Sequence, residues 1–187
     1  MKANQLMNGH NQQALIYEYK GIRPSLGEGV FLAPGVVLLG DITVEDHANI
    51  WFYTVARGDV NFIKIGRQTN IQDHCALHVT TDKYPLIIGA NVVVGHMAAL
   101  HGCVIEDNAL IGIGALVLDG ATIETGAIVG AGAVVPPGSV VKSNTLVLGS
   151  PARPVREATA SEHEFHMINI IKYRSYAENF NQLAVPV

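Results

Sequence analysis

The 187-residue chain is 49% hydrophobic yet only 15% charged and 6% aromatic, and it carries 19 glycines and a net charge of -4. An average soluble chain holds about 25% charged residues and about 7% glycine, so this one is built from small and β-branched residues with many turns. Such apolar content at low net charge excludes disorder. No run of about 20 uncharged apolar residues exists to cross a bilayer as a helix. No Lys/Arg cluster marks a surface for nucleic acid or for a membrane, and two cysteines do not make a disulfide framework.

Residues 1–13 are polar and Asn/Gln-rich, without the apolar core of a signal peptide. The expected compartment is a reducing cytoplasm, and residues 1–14 read as an N-terminal extension. The chain then becomes a repeat of period six. Leu38, Val44, Ile50 and Ala56 open it, with Gly35, Asp41 and His47 at corner positions; Ile65, Ile71 and Leu77 follow, then Ile88, Val94 and Leu100. From Ile105 the spacing runs unbroken through Ile111, Val117, Ile123, Val129, Val135, Val141 and Val147. Cys103, Ala109, Ala115, Ala121, Ala127 and Ala133 stand two residues before the first six of these, and Gly or Asn stands three residues after the first seven. A helix would need a period near 3.6. Gly and Asn tolerate a left-handed backbone, so each hexad is a short strand with its own corner. The spacing predicts a parallel β-solenoid over residues 15–150, of roughly six to seven three-hexad coils about 4.8 Å apart.

The repeat slips three times: nine residues separate Ala56 from Ile65, eleven separate Leu77 from Ile88, and five separate Leu100 from Ile105. Bulges of this kind re-aim side chains beside functional sites, and residues 78–86 read as a protruding loop. Two prolines at 151 and 154 end the pattern. Residues 151–187 are expected to be a linker and a C-terminal α-helix, with Ser161 and Glu164 as its capping box. Phe165, Ile168, Tyr176, Phe180 and Leu183 form its apolar face, which docks on the solenoid or on a neighbouring subunit.

His74, His78, His96 and His101 fall within 28 residues, in the stretch where the register slips. His78 and His101 each follow an inward aliphatic residue, and His96 comes 18 residues after His78, nominally one coil. Three imidazoles with an open fourth position form a catalytic zinc pattern, and they suit Fe2+ or Co2+ as well as Zn2+. His74 occupies a corner like His47 and reads as a turn residue. Arg57, Asp59 and Asp73 lie in adjacent coils and suggest an ion-pair network at a subunit seam. Gln72 shares the repeat position of His78, one hexad earlier, which puts its amide within reach of a ligand on such a metal.

Four stretches carry a family likeness: IWFYTVARGD (50–59), IGRQTNIQDHCALH (65–78), VVGHMAALHGCVI (93–105) and GSPARPVR (149–156). The chain resembles the γ-class carbonic anhydrases, hexapeptide-repeat proteins of the bacterial short type. The resemblance implies a left-handed parallel β-helix and a homotrimer with metal at the subunit interface, where His78 and His101 come from one subunit and His96 from its neighbour. It implies further that Arg57 and Asp73 pair between subunits, that Asp59 stabilises the trimer, that Gln72 orients the metal's water, and that Tyr173 reaches the site from the helix. The implied activity is that of a lyase, reversible hydration of CO2 to bicarbonate by a metal-bound hydroxide. Val60 and Thr81 stand where archaeal-type members carry shuttle glutamates, which points to slow turnover.

Two other classes fit the repeat. One is a hexapeptide acyltransferase using coenzyme A, with thioester hydrolysis as a variant of the metal chemistry. The other is a non-catalytic trimeric module that binds a metal or ligand.

Overall fold

A corner at every sixth residue folds the chain into a three-sided β-solenoid of about seven turns, described for residues 13–183 of a computed structural model. The extension assigned to residues 1–14 lies outside the described residues except for its last two positions. The first face stacks Leu15–Tyr17, the start of Val37–Val44, the start of Val55–Ile65, Ala76–His78, Ala99–His101, Leu116–Val117 and Val134–Val135. The second stacks Ser25–Leu26, the ends of the same two long strands, Leu86–Ile88, Val104–Ile105, Thr122–Ile123 and Val140–Val141. The third runs from Phe31–Leu32 through Asn49–Ile50, Asn70–Ile71, Val93–Val94, Leu110–Ile111 and Ile128–Val129 to Thr145–Leu148. All these pairings are parallel, as the hexad predicts.

Register is kept residue for residue. On the first face Leu38, Ala56, Leu77, Leu100, Val117 and Val135 pair in sequence and point inward. Val44, Ile65, Ile88, Ile105, Ile123 and Val141 do the same on the second. The alanines and cysteines two places earlier are buried at the corners. Both cysteines are free. Burial pushes the thiols of Cys75 and Cys103 up to about 12, so neither is a nucleophile near neutral pH.

Corners carry positive φ at Gly114, Gly120, Gly126, Gly132, Gly138 and Asn144, and also at the non-glycine His47 and His74. His74 stacks on the Tyr53 ring, 5.3 Å between centroids, consistent with a turn residue. The corner expected at Asp41 falls one residue earlier, at Gly40 (φ 84), because its backbone passes directly beneath the Gly58 carbonyl and a Cβ would collide with it.

Each slip has a physical form. The nine-residue step is one long strand, Val55–Ile65, crossing two faces beside Val37–Val44, with a register shift between Gly40 and Ile42. The eleven-residue step is a loop, residues 79–85, closed by an antiparallel bridge between Thr80 and Tyr84. The five-residue step is a tightened corner at Gly102 (φ 51).

Beyond Pro151 the chain turns back, and Arg153–Glu157 pairs antiparallel with Thr145–Leu148. The helix Ala160–Leu183 follows. Its capping box is Thr159 with Glu162, two residues before the expected pair: Glu162 N–H donates to the Thr159 hydroxyl at 3.3 Å, and Thr159 N–H donates to the Glu162 carboxylate at 2.8 Å. Arg156 selects Glu162, gripping both carboxylate oxygens at 2.8 and 2.9 Å and holding its pKa near 2.

The docked face also differs from the expected one. Phe165 is 60% and Ile168 40% exposed, and Tyr176 is exposed too, while the side chain of Leu183 lies outside the described residues. Of the expected face Phe180 does dock, against Trp51 beside Tyr173, and the helix also buries His166 and Ile170. The reason is the aromatic group of Phe31, Trp51 and Phe52 on the solenoid, which Phe180 joins. No described helix is long and apolar enough to cross a membrane.

His166 pins this docking. Its Nε2–H donates to the Asn91 carbonyl at 2.7 Å, while its buried Nδ1 has no hydrogen-bond partner. Burial lowers its pKa below the ordinary 6.5, with His163 as the neighbouring charge. The native state thus holds the neutral ring, and its stabilisation is complete above pH 6.5 and lost as pH falls through the lower native value. The urea midpoint should therefore drop between about pH 7.5 and about pH 5.5, and His166→Gln should flatten that slope. An unchanged slope in the variant would assign the titration to another group.

Candidate metal centre

His78 and His101 end the adjacent first-face strands Ala76–His78 and Ala99–His101 and pair with each other across the ladder. Their side chains meet at the corner leading to the second face. His78 Nδ1 lies 3.0 Å from His101 Nε2. The outer nitrogens face carboxylates: His78 Nε2 is 3.1 Å from Asp59 Oδ1, and His101 Nδ1 is 2.6 Å from Asp119 Oδ1. Asp59 comes from the bulged coil below and Asp119 from the coil above. Burial alone would raise both carboxyls, but Arg57 and His78 hold Asp59 below its usual range, and His101 and Thr80 do the same for Asp119.

Ionised carboxylates only accept hydrogen bonds, so the proton of each neutral imidazole sits on its outer nitrogen. The two inner nitrogens then present lone pairs to each other, an arrangement that a cation between them satisfies. Zinc–nitrogen bonds of about 2.0–2.1 Å in tetrahedral geometry separate two ligands by roughly 3.3 Å, close to the 3.0 Å found. The donor set fits a divalent metal.

His96 stands at the other edge of the first face, beside the Met97 corner. Its Nδ1 is 2.8 Å from Asp73 Oδ2, which leaves Nε2 with the lone pair. Each of the three histidines thus has one carboxylate on one ring nitrogen, the pattern that fixes tautomer and orientation in metal sites. His96 does not join the other two within the chain. Among the described residues, no group of three or more His, Cys, Asp or Glu is arranged to hold a metal ion.

The remaining predicted residues divide between the two edges. Arg57 pairs with Asp59 in its own chain, and Asp73 also accepts the Phe52 N–H at 3.2 Å. Gln72 is 7% exposed; its Nε2 donates to Asn70 Oδ1 at 3.1 Å and its Oε1 accepts the His96 N–H at 3.3 Å. Asn70 in turn donates to Asn49, which also accepts from the Trp51 indole. Tyr173 stacks edge-on against Trp51, 5.4 Å between centroids. Burial raises its pKa, and the nearby Asp73 charge adds to the shift, so it belongs to the His96 edge.

Sequence reasoning missed Asp119, Thr80 and the Asn49–Asn70 pair. Asp119-Gly120 resembles any turn dipeptide, and its one signal is position: it lies 18 residues, one coil, after His101.

The comparisons fall in line with this geometry. A family model described as bacterial transferase hexapeptide (six repeats) matches residues 102–137. A Methanocaldococcus jannaschii protein named "Probable carbonic anhydrase" is 51% identical over 153 residues, 82% of this chain and 96% of its own length. The carbonic anhydrase of Geobacillus kaustophilus is 49% identical over 148 residues, covering 79% and 81% of the two chains. A solved Bacillus cereus protein, described as a candidate acetyltransferase, superposes with a TM-score of 0.88 at 41% identity over 91% of this chain and 99% of its own. Sharing about half its residues with relatives that it matches over most of their length, the chain belongs to the γ-class carbonic anhydrase family of hexapeptide-repeat proteins.

Proposed function

We propose that the protein is a metal-dependent carbonic anhydrase that hydrates CO2 reversibly at a site shared between subunits of a homotrimer. One observation carries the reading: two carboxylate-held histidines converge at one edge of the first face while a third, held in the same way, stands at the opposite edge. A head-to-tail contact that closes into a ring brings opposite edges of neighbouring copies together. His78 and His101 would then hold zinc, Fe2+ or Co2+ with His96 of the partner subunit. Val55 and Leu116, outward on this face, and Met97 and Ile113 at its edge leave an exposed apolar surface, as such a contact requires.

Zinc, when bound, lowers the pKa of water to about 7 and so supplies a nucleophile at neutral pH. The chain's own groups orient and exclude. Asp59 and Asp73 hold the imidazoles of His78 and His96, and the Asn49–Asn70–Gln72 chain holds the Gln72 amide, whose second N–H would donate to the incoming oxygen. Arg57 is the cation available to reach Asp73 of the neighbouring copy, and Tyr173 closes the His96 side. Val60 and Thr81 offer no carboxylate to carry a proton away, so hydration is slow. An acyl-transfer role shares the solenoid but leaves the three carboxylate–histidine pairs without a use.

His96→Ala should abolish stoichiometric zinc in purified protein, measured by elemental analysis, with the fold intact by circular dichroism. The decisive measurement mixes protomers. His96→Ala and His78→Ala are each metal-free alone, but random heterotrimers regain about a quarter of their sites, because each variant supplies what the other lacks. No recovery on mixing sinks the shared site. Leu116→Asp should convert trimer to monomer in size-exclusion chromatography and lose zinc with it; a variant that stays trimeric would move the interface elsewhere.

A further inference from the structure

We infer that Asp119, braced by Thr80, is a positioning residue that fixes the tautomer and orientation of His101, an inference resting on the reading of His101 as a metal ligand. The contact of Asp119 Oδ1 with His101 Nδ1, 2.6 Å, is the shortest of the three carboxylate–histidine contacts. The same oxygen accepts the Thr80 hydroxyl at 2.9 Å.

Asp119 does not behave as a turn residue. Asp46, Asp107, Glu106 and Glu124, the carboxylates near other corners, each accept a backbone N–H. The hydrogen bonds to the Asp119 carboxylate come from two side chains, His101 and Thr80, and among the described residues it pairs with no lysine or arginine. A carboxylate kept only to close a corner would bond the corner's backbone. This one lies against Gly102 as Asp46 lies against Gly27 and Asp107 against Gly89, yet it bonds the imidazole.

The brace explains the irregular loop. Thr80 N–H donates to the Tyr84 carbonyl at 2.9 Å, and Asn61 Nδ2 donates to the Thr80 carbonyl at 3.0 Å. Tyr84 lies against Gly102, the corner one coil below, and against Gly120, which follows Asp119 at its own corner; at either glycine a Cβ would strike it. Loop 79–85 is thus folded down onto the Asp119 corner, and Thr80 in its closing bridge holds the carboxylate. Locked supporting groups of this kind separate a site with fixed ligand geometry from a loose one.

The test measures zinc affinity on the full-length trimer by competition with a chromogenic chelator, and the visible spectrum of the cobalt-substituted protein. Asp119→Ala should weaken zinc about 10–100-fold and alter the cobalt spectrum. Asp119→Asn keeps an acceptor oxygen without the charge and should fall between it and the wild type. Thr80→Val should shift both readouts the same way by less. Thermal midpoint and trimer size should stay at wild-type values, because the described hydrogen bonds of the Asp119 carboxylate run to side chains and the backbone bond from Gly138 N–H to the Asp119 carbonyl survives the substitutions. Asp119→Ala with wild-type affinity and spectrum, alongside His101→Ala that loses zinc, overturns the inference and leaves the proposed function standing. Zinc retained by His101→Ala overturns the metal reading and this inference with it.

Discussion

Parallel backbone pairing without slippage along three inward columns is the constraint on which the rest of the molecule depends. Side chains alternate in a strand, so a shift of one residue would turn every inward Val or Ile outward. The columns tolerate no such error over their length, and the chain places its irregularities where they cannot propagate. The bulge near Gly40 and Gly58, the loop after His78 and the tight corner at Gly102 all begin and end on residues that return to the columns. This is why residues far apart in sequence share one height. Asp59, His78, His101 and Asp119 come from four successive coils, yet each touches the next.

The chemistry sits on a wall that is otherwise neutral. Glu45, Asp46, Glu106, Asp107 and Glu124 are spent on corner amides, Glu45 and Glu124 also on Lys64 and Lys142. Three aspartates are spent on histidines instead. A carboxylate on the outer nitrogen makes the inner nitrogen a better electron donor and removes the ring's freedom to flip. The arrangement is built into the rigid part of the fold, not into a mobile lid, since the imidazoles ride on strand ends and the aspartates on adjoining coils.

How much of this was legible in the sequence follows from what each feature depends on. The hexad is visible because burial forces the same residue class to recur at Ile105, Ile111, Val117 and onward, and the corner forces Gly or Asn at a fixed offset. The three histidines stood out as rare residues at related repeat positions. The helix was read less well. Phe165, Ile168 and Tyr176 look like an apolar face, but docking is decided by a group on the partner surface, Phe31, Trp51 and Phe52, whose assembly requires the coils to be stacked first. The cap was displaced because Arg156, fixed by the antiparallel strand before it, reaches Glu162 and not Glu164. Asp119 was hidden for a simpler reason: Asp before Gly is ordinary turn chemistry, and only the neighbouring coil reveals what the side chain faces.

The returning strand Arg153–Glu157 has a consequence for the molecule as a material. A solenoid of identical rungs ends in unpaired amides and carbonyls, which invite another copy to stack and start a filament. Here the third face is sealed by a strand running the opposite way, and the first by Ala152, whose N–H donates to the Val134 carbonyl at 2.7 Å. That strand is exposed at every position and reads Arg-Pro-Val-Arg-Glu, with a proline that cannot donate and three charges that resist apposition. Stacking of another copy on the capped first and third faces is therefore disfavoured.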